Sequence, residues 1–107
     1  MEDARVTEFG VVDVKLLDGR IVKVRPFTFG EKKAYLKLVE DLTKAADEND
    51  VAGGYLNMQL EVAFFIVSIL NPEITKVDVE NNVNGEILKR TMEVAFYDPF
   101  AMNVPRR

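Results

Sequence analysis

The sequence predicts an α+β fold dominated by helix, with an amino-terminal antiparallel β-hairpin packed on about three α-helices. Three observations carry this expectation. β-Branched residues alternate with polar ones on both sides of Asp18-Gly19, as in a hairpin. Thr28 stands three residues before Glu31, the spacing of a helix capping box, and a three-and-four apolar periodicity follows it. Two further apolar segments, 55–70 and 86–96, are separated by Asn71-Pro72 and Asn84-Gly85, residues that end and start helices. At 107 residues the chain reads as one domain, with the hairpin at 11–25, a helical part at 28–97 and an extended tail at 98–107.

The hairpin register follows from keeping one face apolar. A two-residue Asp18-Gly19 turn would set Val14 against Lys23 and mix the faces. A three-residue loop, Leu17-Asp18-Gly19, with Gly19 in the left-handed position, pairs Leu16 with Arg20, Val14 with Val22 and Val12 with Val24. Asp13 then faces Lys23, and Lys15 faces Ile21, on the solvated side. Pro26 ends the second strand because it has no N–H to donate.

The first helix starts at the Thr28 box. Its inner face is expected at Tyr35, Leu38, Val39 and Leu42, with Ala34, Ala45 and Ala46, while lysines and acids cover the rest. The stretch 46–54, with its acids and Gly53-Gly54, reads as a mobile loop. In the second helix, Tyr55 to Leu70, apolar side chains surround the axis. Such a helix is either sandwiched centrally in its own fold or covered on one side by another subunit or a client. Thr75 opens a short helical turn carrying Val77 and Val79. The third main helix, Glu86 to Phe96, has Ile87, Leu88, Met92, Ala95 and Phe96 inside. Beyond it Phe100, Met102 and Val104 alternate in a tail broken by two prolines, which can dock on this chain, dock on a neighbour or stay disordered.

Composition narrows the chemistry. With no Cys and no His, thiolate nucleophiles, Cys or His metal sites and the commonest acid–base catalyst are missing, so an enzyme is not expected and neither is a cofactor or transition metal. The hydroxyls of Thr28, Ser68, Thr75 and Thr91 have no histidine base to activate them. Asp47, Glu48 and Asp50 lack the spacing of a calcium loop and read as solvated. Eighteen acidic against fourteen basic residues give a net charge of −4, and Arg5, Arg20, Arg25, Lys89, Arg90, Arg106 and Arg107 are scattered among acids, so no nucleic-acid partner is expected. The residues from Met1 to Arg5 do not read as a signal peptide, and the strongly apolar run Val62–Leu70 is about half of the ~20 residues that span a bilayer, so no membrane partner is expected either.

The segment from Val14 to Glu31, a DGR hairpin leading directly into an R-P-x-T helix start, resembles the opening of the small tail assembly chaperones of long-tailed bacteriophages. The run from Asn71 to Asp78, ahead of a terminal amphipathic helix, is similar to the later part of such proteins. The resemblance implies a non-enzymatic protein of the host cytoplasm that keeps the long, helical tape measure protein soluble during tail assembly, and that tends to self-associate. A structural virion component, such as a tail-completion or head–tail connector protein, and a small intracellular adaptor are the alternatives. Partner contact is expected at Phe64, Phe65, Ile69, Phe96, Phe100 and Met102, the apolar anchors of a helix-in-groove interaction.

Overall fold

A computed structural model of the chain describes residues 10–98. The fold is α+β and helix-dominated: strands β1 (Val12–Lys15) and β2 (Ile21–Val24) precede helices α1 (Phe29–Ala45), α2 (Val51–Ser68), α3 (Lys76–Asn82) and α4 (Gly85–Ala95). The two strands form an antiparallel sheet in which Val12 pairs with Val24, Asp13 with Lys23, Val14 with Val22 and Lys15 with Ile21. This is the face-consistent register. Leu16 N–H donates to Arg20 C=O at 2.8 Å, Gly19 N–H donates to Leu16 C=O at 3.0 Å, and Gly19 has φ +95°. A positive φ there closes the three-residue loop at no steric cost only because glycine lacks a Cβ.

The valines that share one hairpin face are the floor of the core. Val12, Val14, Val22 and Val24, with Leu16, are buried against Val62, Ala63, Ile66 and Val67 of α2, Val79 of α3, and Leu88 and Ala95 of α4. α2 is central: it packs on α1, α3, α4 and β2. At 18 residues and mean hydropathy 1.2 it is long and apolar enough to cross a membrane by length and composition, a test that a core helix also passes. Its buried residues lie between Val62 and Val67, in its carboxyl-terminal half.

Four boundaries differ from the sequence expectation. α2 begins at Val51, not Tyr55, because the Asp50 side chain caps it by accepting the Gly53 N–H at 3.1 Å. Gly53 and Gly54 therefore lie in its first turn, and the connecting loop shortens to 46–50. A Cβ on Gly53 would run into the capping carboxylate, so the glycine that reads as loop punctuation makes room for a cap. At its other end α2 stops at Ser68, short of Leu70. The Thr75 turn is a full helix, α3, with a capping box in which Asp78 reciprocates, and α4 runs from Gly85 to Ala95 with Asn84 as its cap. Phe100 and Met102 lie outside the described residues.

α1 departs most from expectation. Its capping box is present, with Thr28 accepting the Glu31 N–H at 3.1 Å and Glu31 accepting the Thr28 N–H at 2.9 Å. Yet none of its residues is buried. Tyr35, Leu38, Val39 and Leu42 are only half covered, and Ala34, Ala45 and Ala46 are exposed. The physical reason is that, among the described residues, α2 is the sole helix or strand packed against it.

Candidate functional site

Two structures define the region around α1 and α2: a clasp that anchors α1, and an apolar shoulder left uncovered. The clasp is aromatic. Phe27, from the β2–α1 connection, meets Phe65 of α2 edge-on at 5.6 Å and Phe96 edge-on at 5.2 Å between ring centroids. Tyr35 of α1 closes the group, 4.9 Å from Phe96 and 6.0 Å from Phe27. Edge-to-face geometry sets the positive rim of one ring on the negative face of the next, which favours such pairs beyond their buried area. Phe27 N–H also donates to Ala95 C=O at 2.9 Å, tying the connection to the end of α4.

Beside the clasp, Arg25 donates from its two terminal guanidinium nitrogens to the two carboxylate oxygens of Glu31, at 2.9 and 2.8 Å. This half-buried fork holds the Glu31 carboxyl below its ordinary range, first through Arg25 and then through the Thr28 N–H, and raises Arg25. The start of α1 is thus fixed, whereas the rest of the helix is held only by its half-covered stripe.

The shoulder is formed by the first two turns of α2, and a further exposed apolar side chain, Leu36, stands on α1. Leu36 is 65% exposed, Val51 75%, Tyr55 65% and Leu56 64%. Concavities flank α2 on both sides. One, of about 630 Å³, is bordered by Leu42 and Ala46 at the end of α1 and by Val51, Tyr55 and Met58 of α2. The other, of about 500 Å³, lies between α2, α3 and α4 over Leu56, Leu60, Ala63, Val83 and Leu88, and is prolonged by a hollow that reaches Met92. Apolar troughs beside exposed apolar anchors can receive the apolar stripe of another helix.

The six partner residues expected from sequence do not share one environment. Phe65 and Phe96 belong to the clasp. Phe64 lies under the ammonium of Lys76, 5.6 Å from its ring centroid, and Lys76 in turn pairs with Glu61 at 2.7 Å. Phe64 and Ile69 are half-buried against the core. Leu36, Val51, Tyr55 and Leu56 were missed by sequence reasoning. The signal available for Tyr55 and Leu56 was the all-round apolar character of their helix, with no indication of which end lacks cover.

Polar candidates are engaged in local structure. Asp47 accepts the Asn49 N–H at 2.9 Å and Asp50 caps α2, so two of the three acids of that cluster serve the backbone. Among the described residues no three acidic side chains converge as a metal site requires. Arg20 is shared between Asp18 at 2.8 Å and Asp78 at 3.0 Å. That contact, with the Thr75 N–H, holds the Asp78 carboxyl at about 2. Compared with family models, with curated proteins and with solved structures, the chain matches none of them.

Proposed function

We propose that this protein is a tail assembly chaperone of a long-tailed bacteriophage, which holds apolar helical segments of the tape measure protein soluble in the host cytoplasm until tail subunits enclose them. The observation that carries the reading is the uncovered start of α2, where exposed Val51 and Tyr55 border one concavity and exposed Leu56 borders the other. Contiguous exposed apolar surface marks interaction sites in soluble domains. Burying one such Leu or Val side chain contributes ~1.5–3 kcal/mol, so a few anchors suffice for reversible holding. The net charge of −4 supports solubility of the pair. The resemblance of the hairpin and its helix start to this family supports the same reading. Client contact is accordingly assigned first to the shoulder, with Phe100 and Met102 beyond the described residues as further anchors. Phe65 and Phe96, whose rings both pack on Phe27 and Tyr35 in the clasp, serve to position α1.

The test is co-expression with a tape measure fragment of the same phage. The fragment is expected in the soluble fraction only with the chain present. The double variant Tyr55→Asp with Leu56→Asp should lose this effect while its circular dichroism stays unchanged, and a chain ending at Asp98 measures the share of the tail. A fragment equally soluble with and without the protein, or the protein found as a constituent of purified virions, refutes the proposal.

A further inference from the structure

The small sheet has two edges, and they are treated differently. In an antiparallel pair, residues alternate between those whose N–H and C=O point at the partner strand and those whose backbone groups point away. Since Leu16 bonds Arg20 across the hairpin, the outward-pointing residues are Asp13 and Lys15 on β1, and Ile21 and Lys23 on β2. On the β2 side Asn71 acts as a substitute strand: its Oδ1 accepts the Lys23 N–H at 3.0 Å and its Nδ2 donates to the Lys23 C=O at 2.8 Å. On the β1 side, the outward backbone groups of Asp13 and Lys15 have no hydrogen-bond partner among the described residues. They border a crevice of about 470 Å³ between β1 and α4. The open stretch ends at Leu17, whose N–H donates to Asn82 C=O at 3.0 Å.

We propose that β1 pairs antiparallel with β1 of a second copy of this chain, about a twofold axis at Val14, joining two hairpins into one continuous sheet. Charge complementarity selects this occupant. In that register Asp13 of each copy stands opposite Lys15 of the other, and both pairs exchange N–H and C=O bonds, because these are the two residues whose backbone points outward. Val14 meets its own counterpart on the apolar side. A twofold contact must be self-complementary, and an acid and a base two residues apart on one edge satisfy that condition, whereas two lysines would oppose it. The α4 side of the crevice has the same balance, with Glu86 and Glu93 alongside Lys89 and Arg90. Asp13 also pairs with Lys23 of its own hairpin at 3.0 Å, so Lys15 of the second copy would add to an existing pair. This contact is separate from the apolar shoulder and does not depend on the proposed client.

The experiment is sedimentation velocity on the full chain over a dilution series, with circular dichroism as the control for folding. The wild type is expected to show a monomer–dimer equilibrium. Lys15→Asp, which sets acid against acid, should weaken the dimer by roughly tenfold or more, and the swap Asp13→Lys with Lys15→Asp should restore it. Lys15→Pro removes the outward N–H and should abolish it. In the wild type, amide-exchange protection at Asp13 and Lys15 should rise with protein concentration, a measurement that requires no variant to fold. A chain that is monomeric throughout, as when another segment fills the edge, overturns the proposal. So does a dimer that Lys15→Asp and Lys15→Pro leave intact while Leu56→Asp disrupts it, or exchange at Asp13 and Lys15 that is independent of concentration.

Discussion

Replacing Asn71 by alanine isolates the contact on which the hairpin's seating depends. The Asn71 side chain is buried and makes three hydrogen bonds: it accepts from Lys23 N–H, and donates to Lys23 C=O and, at 2.7 Å, to Val67 C=O. One short side chain thereby ties the end of α2 to the outer edge of β2, residues 48 positions apart in the chain. Each bond contributes about 1 kcal/mol net. In Asn71→Ala the Val67 carbonyl stays buried without that donor, a loss of ~1–3 kcal/mol, while the half-exposed Lys23 groups recover part of their bonding from water. The sum is about 3 kcal/mol, or roughly 10–25 °C in Tm for a domain of this size. Urea unfolding at neutral pH measures it. Asn71→Asp keeps the acceptor for Lys23 N–H but sets a carboxylate against two carbonyl oxygens, so it should be worse than alanine at pH 7 and should recover as the new carboxyl is protonated in acid. A cost below about 1 kcal/mol for Asn71→Ala at unchanged m, or an Asn71→Asp variant as stable as wild type at pH 7, would refute the reasoning.

Two further outcomes are expected. Gly19→Val should cost ~1 kcal/mol or more and Gly19→Asn distinctly less, because φ is +95° there while nothing lies within 4 Å of an added Cβ, leaving a conformational penalty alone; equal urea midpoints for the two variants would contradict it. Asp78 is depressed from 3.8 to about 2 by Arg20 and by the α3 cap, so its contribution to stability is fully present above about pH 4 and is lost as pH falls through about 2. Asp78→Asn should therefore flatten the fall of the unfolding midpoint between pH 4 and pH 2, with the remaining slope due in part to Glu31; a profile parallel to wild type would show that the charge of Asp78 is not responsible.

The hairpin was legible because a sheet has a period of two and a slip of one residue moves every side chain to the other face. With Val12, Val14, Val22 and Val24 to be placed together, only the three-residue loop remained, and Gly19 is the residue that can close it. The start of α1 was legible for a similar reason, since the Thr28 and Glu31 spacing satisfies two orphan N–H groups at once. The start of α2 was not. Asp50 caps α2 through the Gly53 N–H, and a glycine at that place reads as a breaker unless the cap is recognised first. Asn71 was legible only as a helix stop; its contact with Lys23 depends on the fold bringing β2 beside the end of α2.

Periodicity shows which face of a helix is apolar, but the supply of partners decides how much of that face is covered. α1 carries an apolar stripe and the second half of α2 is apolar around its axis; Val62, Ala63, Ile66 and Val67 meet the core, while α1, with Leu38, Val39 and Leu42 half covered, packs on α2 alone among the described helices and strands. The valine floor of the hairpin is taken up by the second half of α2, and among the described residues its first half is flanked by the end of α1 and, across an open concavity, by α3 and α4. The 17 residues of α1 extend about 25 Å at 1.5 Å per residue. Such a helix is fixed at its base by the clasp of Phe27, Tyr35, Phe65 and Phe96 and by the Arg25–Glu31 fork, and is supported beyond it along one stripe. Local opening is easiest where few buried apolar contacts hold an element. Movement of α1 away from the first turns of α2 therefore breaks far fewer contacts than unfolding the core, and it would enlarge the trough beside Tyr55 and Met58 where a client helix is proposed to lie.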